Sequence, residues 1–263
     1  MSKINIAVIP IAGYGSRMFP ETLLINKCLL PIGNKPTILF LLEEIIESDI
    51  HNVFIIINEH QKNIIDVLKT ISLSNYDSKY HKQIQDFNNI ISQLNINYII
   101  QKEQKGLANA LYSLKEIIKE PFALLLGDNV ILPKECGLKS LLNYYDKLES
   151  NILLVSEVPK EKTNLYGIIE TSDSINPLHV TSINEKPKYS KSNLACVGRY
   201  ILNNSIIESI EKDINIDIEP LLPNYIFKER TYAILNELIW IDVGNEDSYL
   251  EGNIKYYKYK NKL

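Results

Sequence analysis

Ile4 to Ile11 is a continuous apolar run that ends at Gly13 and Gly15, the pattern of a strand buried on both faces and followed by a glycine loop. Thr37 to Glu47 keeps its apolar residues on one side, with Glu43, Glu44 and Glu47 left for solvent, and predicts an amphipathic helix. Val53 to Asn58 repeats the strand pattern, and a helical stretch follows around Gln61 to Lys69. Ile96 to Gln101 and Phe122 to Leu126 predict two more strands, on either side of a helix that begins near Gly106. Strands and helices that alternate in this way imply right-handed crossovers and a parallel sheet. Ser72 to Asn95 is polar and weakly periodic, and reads as a lid or a small helical excursion.

From about Ile152 the texture changes to closely spaced β-like segments, ILLVSEV, YGIIET, HVTSIN and CVGRYIL, which predict a region of mixed sheet. The chain closes with WIDVG and a polar, Tyr-rich helix from about Glu246 to Tyr259. The whole pattern is that of an α/β protein, and at 263 residues one domain with decorations is expected.

Charge and cysteine usage narrow the chemistry. A formal net charge of −4 with no basic patch excludes a general affinity for nucleic acid or an anionic membrane, so phosphates must be bound at a focused site. Cys28, Cys136 and Cys196 are odd in number and far apart, which argues against a disulfide framework and a zinc ribbon and fits a reducing cytoplasm. The apolar run in MSKINIAVIPIAG is too short for a membrane span and leads into a glycine turn, so it reads as a first strand and not as a signal. His51, His60, His81 and His179 are scattered without ligand spacing.

In IAGYGSRMFP a buried strand delivers two glycines and then Arg17, so that backbone N–H groups approach an anion while a permanent cation reaches its oxygens. The dinucleotide-binding alternative G-x-G-x-x-G fails at Met18, and no Gly-Lys-Ser/Thr follows to make a Walker loop. Asp128 in LLLGDN and Asp242 in IWIDVGN each follow an apolar strand. Each alone fits a helix cap, whereas together they fit two carboxylates converging on one hard divalent cation. Glu185 and Lys186 in INEKPKYSKSNLACVGRYIL fit either a solvated turn or a ligand that is polyhydroxylated at one end and anionic at the other.

The run GYGSRMFPETLLINKCLLPIGNKP resembles the opening motif of the sugar-1-phosphate nucleotidyltransferases, G-x-G-[ST]-R-[ML]-x-P followed by a K-x-x-L-P-like segment. Most of the chain continues the likeness, which is nearest to the bacterial UTP:glucose-1-phosphate uridylyltransferases. The resemblance implies an α/β fold of nucleotide-diphospho-sugar transferase type, with a Rossmann-like mixed, mainly parallel central sheet flanked by helices. It implies a single domain over residues 1–263, with a nucleotide-binding half at about 1–150 and a sugar-phosphate-binding half and terminal helix at about 151–263.

For the site, the resemblance places Ala12, Gly13 and Gly15 on the nucleotide, Arg17 and Lys27 on its triphosphate, and Gln101 and Gly106 of QKEQKGLANAL on the uracil edge. It places Gly167 and Glu185 on the sugar, Lys186 on the sugar phosphate, and Asp128 and Asp242 on Mg²⁺. The implied substrates are UTP and glucose 1-phosphate, the alternatives being a dTTP- or CTP-dependent transferase or a non-catalytic sugar-nucleotide-binding protein of the same fold, and the implied assembly is a homo-oligomer, dimer or tetramer. Two departures stand out. Ala108-Asn109 occupies the place of a frequent Gly-His, and the acidic D-E-I-Q-L-T-D segment appears only as Asp217-Ile218-Glu219-Pro220-Leu221-Leu222.

Overall fold

The computed structural model describes residues 4–212, 226 and 229–262. The acidic segment Asp217 to Leu222 lies outside the described residues. In chain order the strands are β1 (Ile6–Pro10), β2 (Pro31–Ile32), β3 (Lys35–Pro36), β4 (Asn52–Ile57), β5 (Asn95–Ile100), β6 (Phe122–Leu125) and β7 (Asn129–Leu132). They continue as β8 (Asn151–Glu157), β9 (Gly167–Thr171), β10 (Leu178–Glu185), β11 (Leu194–Leu202), β12 (Thr231–Leu235) and β13 (Ile239–Asp242). The α-helices are α1 (Glu21–Leu24), α2 (Thr37–Glu47), α3 (Asn63–Val67), α4 (His81–Ser92), α5 (Gly106–Tyr112), α6 (Leu138–Leu148), α7 (Ser205–Lys212) and α8 (Glu246–Lys260).

Nine strands form one sheet in the order β5-β4-β1-β6-β11-β8-β12-β10-β9. The apolar runs are long because alternate residues serve different cores. Ala7 and Ile9 of β1, Ala123 and Leu125 of β6, and Ile152 and Leu154 of β8 face a core shared with α2 and α6. Val8, Phe122, Leu124, Leu153 and Val155 face the other core, with α5 and α7.

The expectation of a mainly parallel sheet needs correction. β5, β4, β1 and β6 are parallel, but β11 runs antiparallel to β6, β8 and β9, and β10 runs antiparallel to β12 and β9. β9 also pairs with Leu194 and Ala195 of β11, which closes β11, β8, β12, β10 and β9 into a ring. The physical reason is that β9 and β10 are joined by a short turn, which permits only antiparallel pairing. A run apolar on both faces reports burial, and it is silent on strand direction.

A second correction concerns α2. Glu43 and Glu47 reach Lys134 at the helix edge, at 3.0 and 2.6 Å, but Glu44 is only 2% exposed. Its carboxylate accepts from Nε and Nη2 of Arg199, itself fully buried in β11, and from the Leu138 N–H that opens α6. The charge enters the core because a bidentate partner is already there. Residues 72–95 form 3₁₀ turns and α4, which packs on α2. That is the helical excursion and not a lid.

Candidate active site

The glycine loop leaves β1 with its carbonyls already taken. Asn26 Nδ2 donates to Ile11 O at 3.1 Å, Asn58 Nδ2 to Ala12 O at 2.7 Å and Gln61 Nε2 to Gly13 O at 3.2 Å. The N–H groups of Gly13, Tyr14 and Gly15 have no acceptor among the described residues. A loop with occupied carbonyls and uncommitted N–H groups suits an anion. Gly15 holds φ +66°, a conformation that favours glycine. A side chain at Gly13 would meet no protein atom within 4 Å, so the fold itself does not demand glycine there and a closely approaching ligand would.

A cleft of about 460 Å³ is lined by Ala12, Gly13, Gly15, Arg17, Lys27, Gln101, Gly106 and Asp128. It adjoins a second cavity of about 340 Å³ that shares Arg17 and Asp128 and adds Gly167, Glu185, Lys186 and Asp242. Every site residue expected from the sequence therefore lines one of two joined hollows. A larger cavity of about 760 Å³ lies against α8 and touches this region only through Leu165, Tyr166, Trp240 and Asp242. The joined pair is the candidate site, because the glycine loop and both aspartates meet there.

At one end, Gln101 extends the β5 ladder through its N–H to Ile57 O at 2.8 Å and is 4% exposed. Its Nε2 donates to Gly106 O at 3.2 Å and to Asn109 Oδ1 at 2.8 Å. Gly106 holds φ +89°. Tyr14 ties the glycine loop to this end by donating to Gln104, whose amide in turn donates to Gln101 O.

In the middle, Lys27 Nζ lies 2.8 Å from Asp128 Oδ2. Burial raises the Asp128 carboxyl, but Lys27 and then Arg17 outweigh it and hold it below the usual carboxylate range. Asp242 pairs with Asn129 across β13 and β7, and the Val243 N–H donates to Asp128 O at 2.8 Å, so the two carboxylates are neighbours. Burial, and then the charge of Asp128, push Asp242 up to about 6. Gly244 leaves the room that the Asp242 carboxylate occupies, since a Cβ there would stand 2.7 Å from its oxygen. Among the described residues no cluster of three or more acidic, His or Cys groups gathers, and the acidic ligands that meet here are the two carboxylates of Asp128 and Asp242. That donor set fits Mg²⁺, which is held by one or two carboxylates and completes its shell with phosphate and water.

At the far end, Glu185 and Gly167 are direct cross-strand partners. Lys186 follows in left-handed backbone at φ +46°, with Nζ 3.8 Å from Glu185 Oε1. Burial raises the Glu185 carboxyl more than Lys186 lowers it.

This geometry fits what comparison with known proteins finds: a model of the family described as "Nucleotidyl transferase" matches residues 6–258. The chain belongs to the nucleotidyl transferase family. Within that family, it is similar to a UTP–glucose-1-phosphate uridylyltransferase of Staphylococcus epidermidis, at 32% identity over 97% of this chain and 93% of the relative. A protein of the same name from Mycoplasma genitalium is 32% identical over 96% of this chain and 91% of its own length. Among solved structures, a UDP-glucose pyrophosphorylase complexed with UDP-glucose superposes with a TM-score of 0.85 at 29% identity, covering 97% of this chain and 99% of that one. Among the described residues of this nucleotidyl transferase, no helix is long and apolar enough to cross a membrane.

Three residues of the site escaped the sequence analysis, and a fourth, Asn109, entered it only as a departure from the family pattern. Asn129, Tyr166 and Trp240 surround the aspartates, with the Tyr166 and Trp240 rings 4.6 Å apart. Asn109 braces Gln101. Asn129 adjoins Asp128 and Trp240 stands two before Asp242, so nearness to a candidate ligand was the signal available.

Proposed function

We propose that this chain transfers the uridylyl group of UTP to glucose 1-phosphate, forming UDP-glucose and pyrophosphate. The observation that carries the proposal is the order of groups along one cleft: an amide for a base, a glycine loop with cations and two carboxylates, then a carboxylate and an ammonium for a sugar phosphate. Near-full-length likeness to relatives that carry this name supports the same substrates.

In this mechanism Gln101 and Gly106 face the uracil edge, and the backbone of Ala12, Gly13 and Gly15 lies along the triphosphate. Arg17 and Lys27 neutralise phosphate oxygens. Glu185 accepts from sugar hydroxyls beside Gly167, and Lys186 holds the phosphate of the incoming sugar. An oxygen of that phosphate attacks the α-phosphorus; a P–O bond forms there as the bond to the β-phosphate bridging oxygen breaks, and pyrophosphate leaves with the electron pair. The nucleophile is already an anion, so no general base is required, and alignment with charge neutralisation supplies the acceleration. Asp128 and Asp242 would hold Mg²⁺, whose contribution when bound is to polarise phosphate oxygens and offset their charge.

The test is to supply the purified protein with Mg²⁺, UTP and glucose 1-phosphate and follow pyrophosphate release, with a panel of other sugar 1-phosphates in parallel. Release with UTP and glucose 1-phosphate that exceeds every other pairing is the expected result. Release with a different sugar alone would reassign the acceptor.

A further inference from the structure

The Gln101 side chain reaches the cleft with its polarity already decided. A carboxamide has one acceptor end and one donor end, and it reads a base edge in opposite ways according to which end is presented. Here the Gly106 carbonyl, which only accepts, faces the Gln101 amide at 3.2 Å, so the facing atom is Nε2. The second Nε2 hydrogen is taken by Asn109 Oδ1 at 2.8 Å. Both donor hydrogens are thus spent inside the protein, and Oε1 accepts nothing among the described residues. Gln101 lines the cleft, so it meets a base as a pure acceptor.

Pyrimidines differ at the position such an acceptor would face. Uracil and thymine carry a donor N3–H, whereas cytosine carries a bare N3 lone pair. Against Oε1, uracil or thymine forms a hydrogen bond, and cytosine sets two acceptors against each other while leaving a nearly buried carbonyl unpaired. Turning the amide over would rescue cytosine, but it would set Oε1 against Gly106 O, which cannot donate, and would break the bond to Asn109 Oδ1.

We propose that Asn109 is a specificity-determining residue: by occupying Nε2 it locks Gln101 as an acceptor and excludes cytidine nucleotides. It acts through Gln101 and does not itself meet the base, which makes it a positioning residue. Asn109 stands one helical turn beyond Gly106 in α5, so both acceptors for the amide come from a single element. The lock leaves uracil and thymine equal at this edge, since both present N3–H. The inference rests on the proposal that Gln101 faces the base.

The experiment measures kcat/KM for UTP and for CTP with glucose 1-phosphate in the wild type, Gln101→Ala, Asn109→Leu and Asn109→Asp. A ratio of two nucleotides is used because a merely structural defect lowers both together. The wild type should favour UTP, and Asn109→Leu should lower the UTP:CTP ratio by about tenfold or more, the worth of one desolvated polar contact. Asn109→Asp keeps the acceptor and should retain the wild-type ratio. Asn109→Ala serves in place of the leucine variant should that one fail to fold. A wild-type ratio in Asn109→Leu together with a collapsed ratio in Gln101→Ala would overturn the lock while leaving Gln101 on the base. An unchanged ratio in Gln101→Ala, or a wild type indifferent to UTP and CTP, would overturn the placement of the base as well.

Discussion

The indole N–H of Trp240 donates to Asn129 Oδ1 across 2.6 Å. The other end of that amide, Nδ2, donates to Asp128 Oδ1 at 2.7 Å, and Arg199 Nη2 donates to the Asn129 carbonyl at 2.9 Å. One asparagine side chain therefore has its flip state set by an indole that only donates, and it hands a fixed donor to a candidate metal ligand. Partners of this kind orient ligands and tune their affinity.

Trp240 is the only tryptophan in the chain, so its emission reports this network directly. Adding Mg²⁺ with UTP should change the fluorescence of the wild type. Asn129→Ala, which removes the link between indole and carboxylate, should weaken Mg²⁺ binding by about tenfold or more and blunt the spectral change. Full Mg²⁺ affinity in that variant, measured by calorimetry, would show that Asn129 does not orient Asp128.

Asp128 and Asp242 are expected to act as one unit. Asp→Asn at either should cost on the order of a hundredfold in kcat, because each removes a ligand from a cation worth several kcal/mol to the transition state. The double variant should be scarcely worse than the poorer single one, since groups that serve one ion are non-additive. The check is kcat against Mg²⁺ concentration for both singles and the double. Losses that multiply would assign the two carboxylates to separate tasks.

The raised Asp242 carboxyl gives a signed pH dependence. Its folded value of about 6 stands above the ordinary 3.8, so between those limits the folded chain holds a proton that the unfolded chain releases. Stability of the metal-free protein from this group therefore falls as pH rises through that window. Asp242→Asn removes the titration. Its melting temperature should match the wild type near pH 4 and exceed it above pH 6, as followed by thermal melts across this range. A constant difference at all pH values would mean that Asp242 ionises normally.

Glu44 is predicted to matter for stability far more than its exposed neighbours. Glu44→Ala leaves the guanidinium of Arg199 buried without its partner, and breaking such a pair costs about 3–5 kcal/mol. Glu47→Ala, at an exposed pair with Lys134, should cost under about 1 kcal/mol. Urea unfolding of the two variants makes the comparison, and similar midpoints would contradict the buried pair.

The sequence alone named much of the candidate site, for a physical reason. A strand that must be buried on both faces is apolar throughout, a turn that must present N–H groups to an anion needs glycine, and a carboxylate that closes an apolar strand needs a partner, whether a helix cap or a cation. Each of these constraints acts within a short stretch of chain, so β1, the glycine loop, Arg17, Asp128 and Asp242 were legible as candidates, whereas Lys27 entered through the family resemblance. What tertiary structure decided is long-range pairing. Burial on both faces does not choose a strand's neighbour or direction, so the ring closed by β9 on β11 was hidden. Helical periodicity assigned Glu44 to solvent, and only Arg199, which lies 155 residues away in sequence and buries its charge in the same core, reversed that. The orientations of the Gln101 and Asn129 amides were equally out of reach. An amide is symmetric in shape and opposite in polarity at its two ends, and its direction is settled by whichever fixed donor or acceptor the fold brings against it.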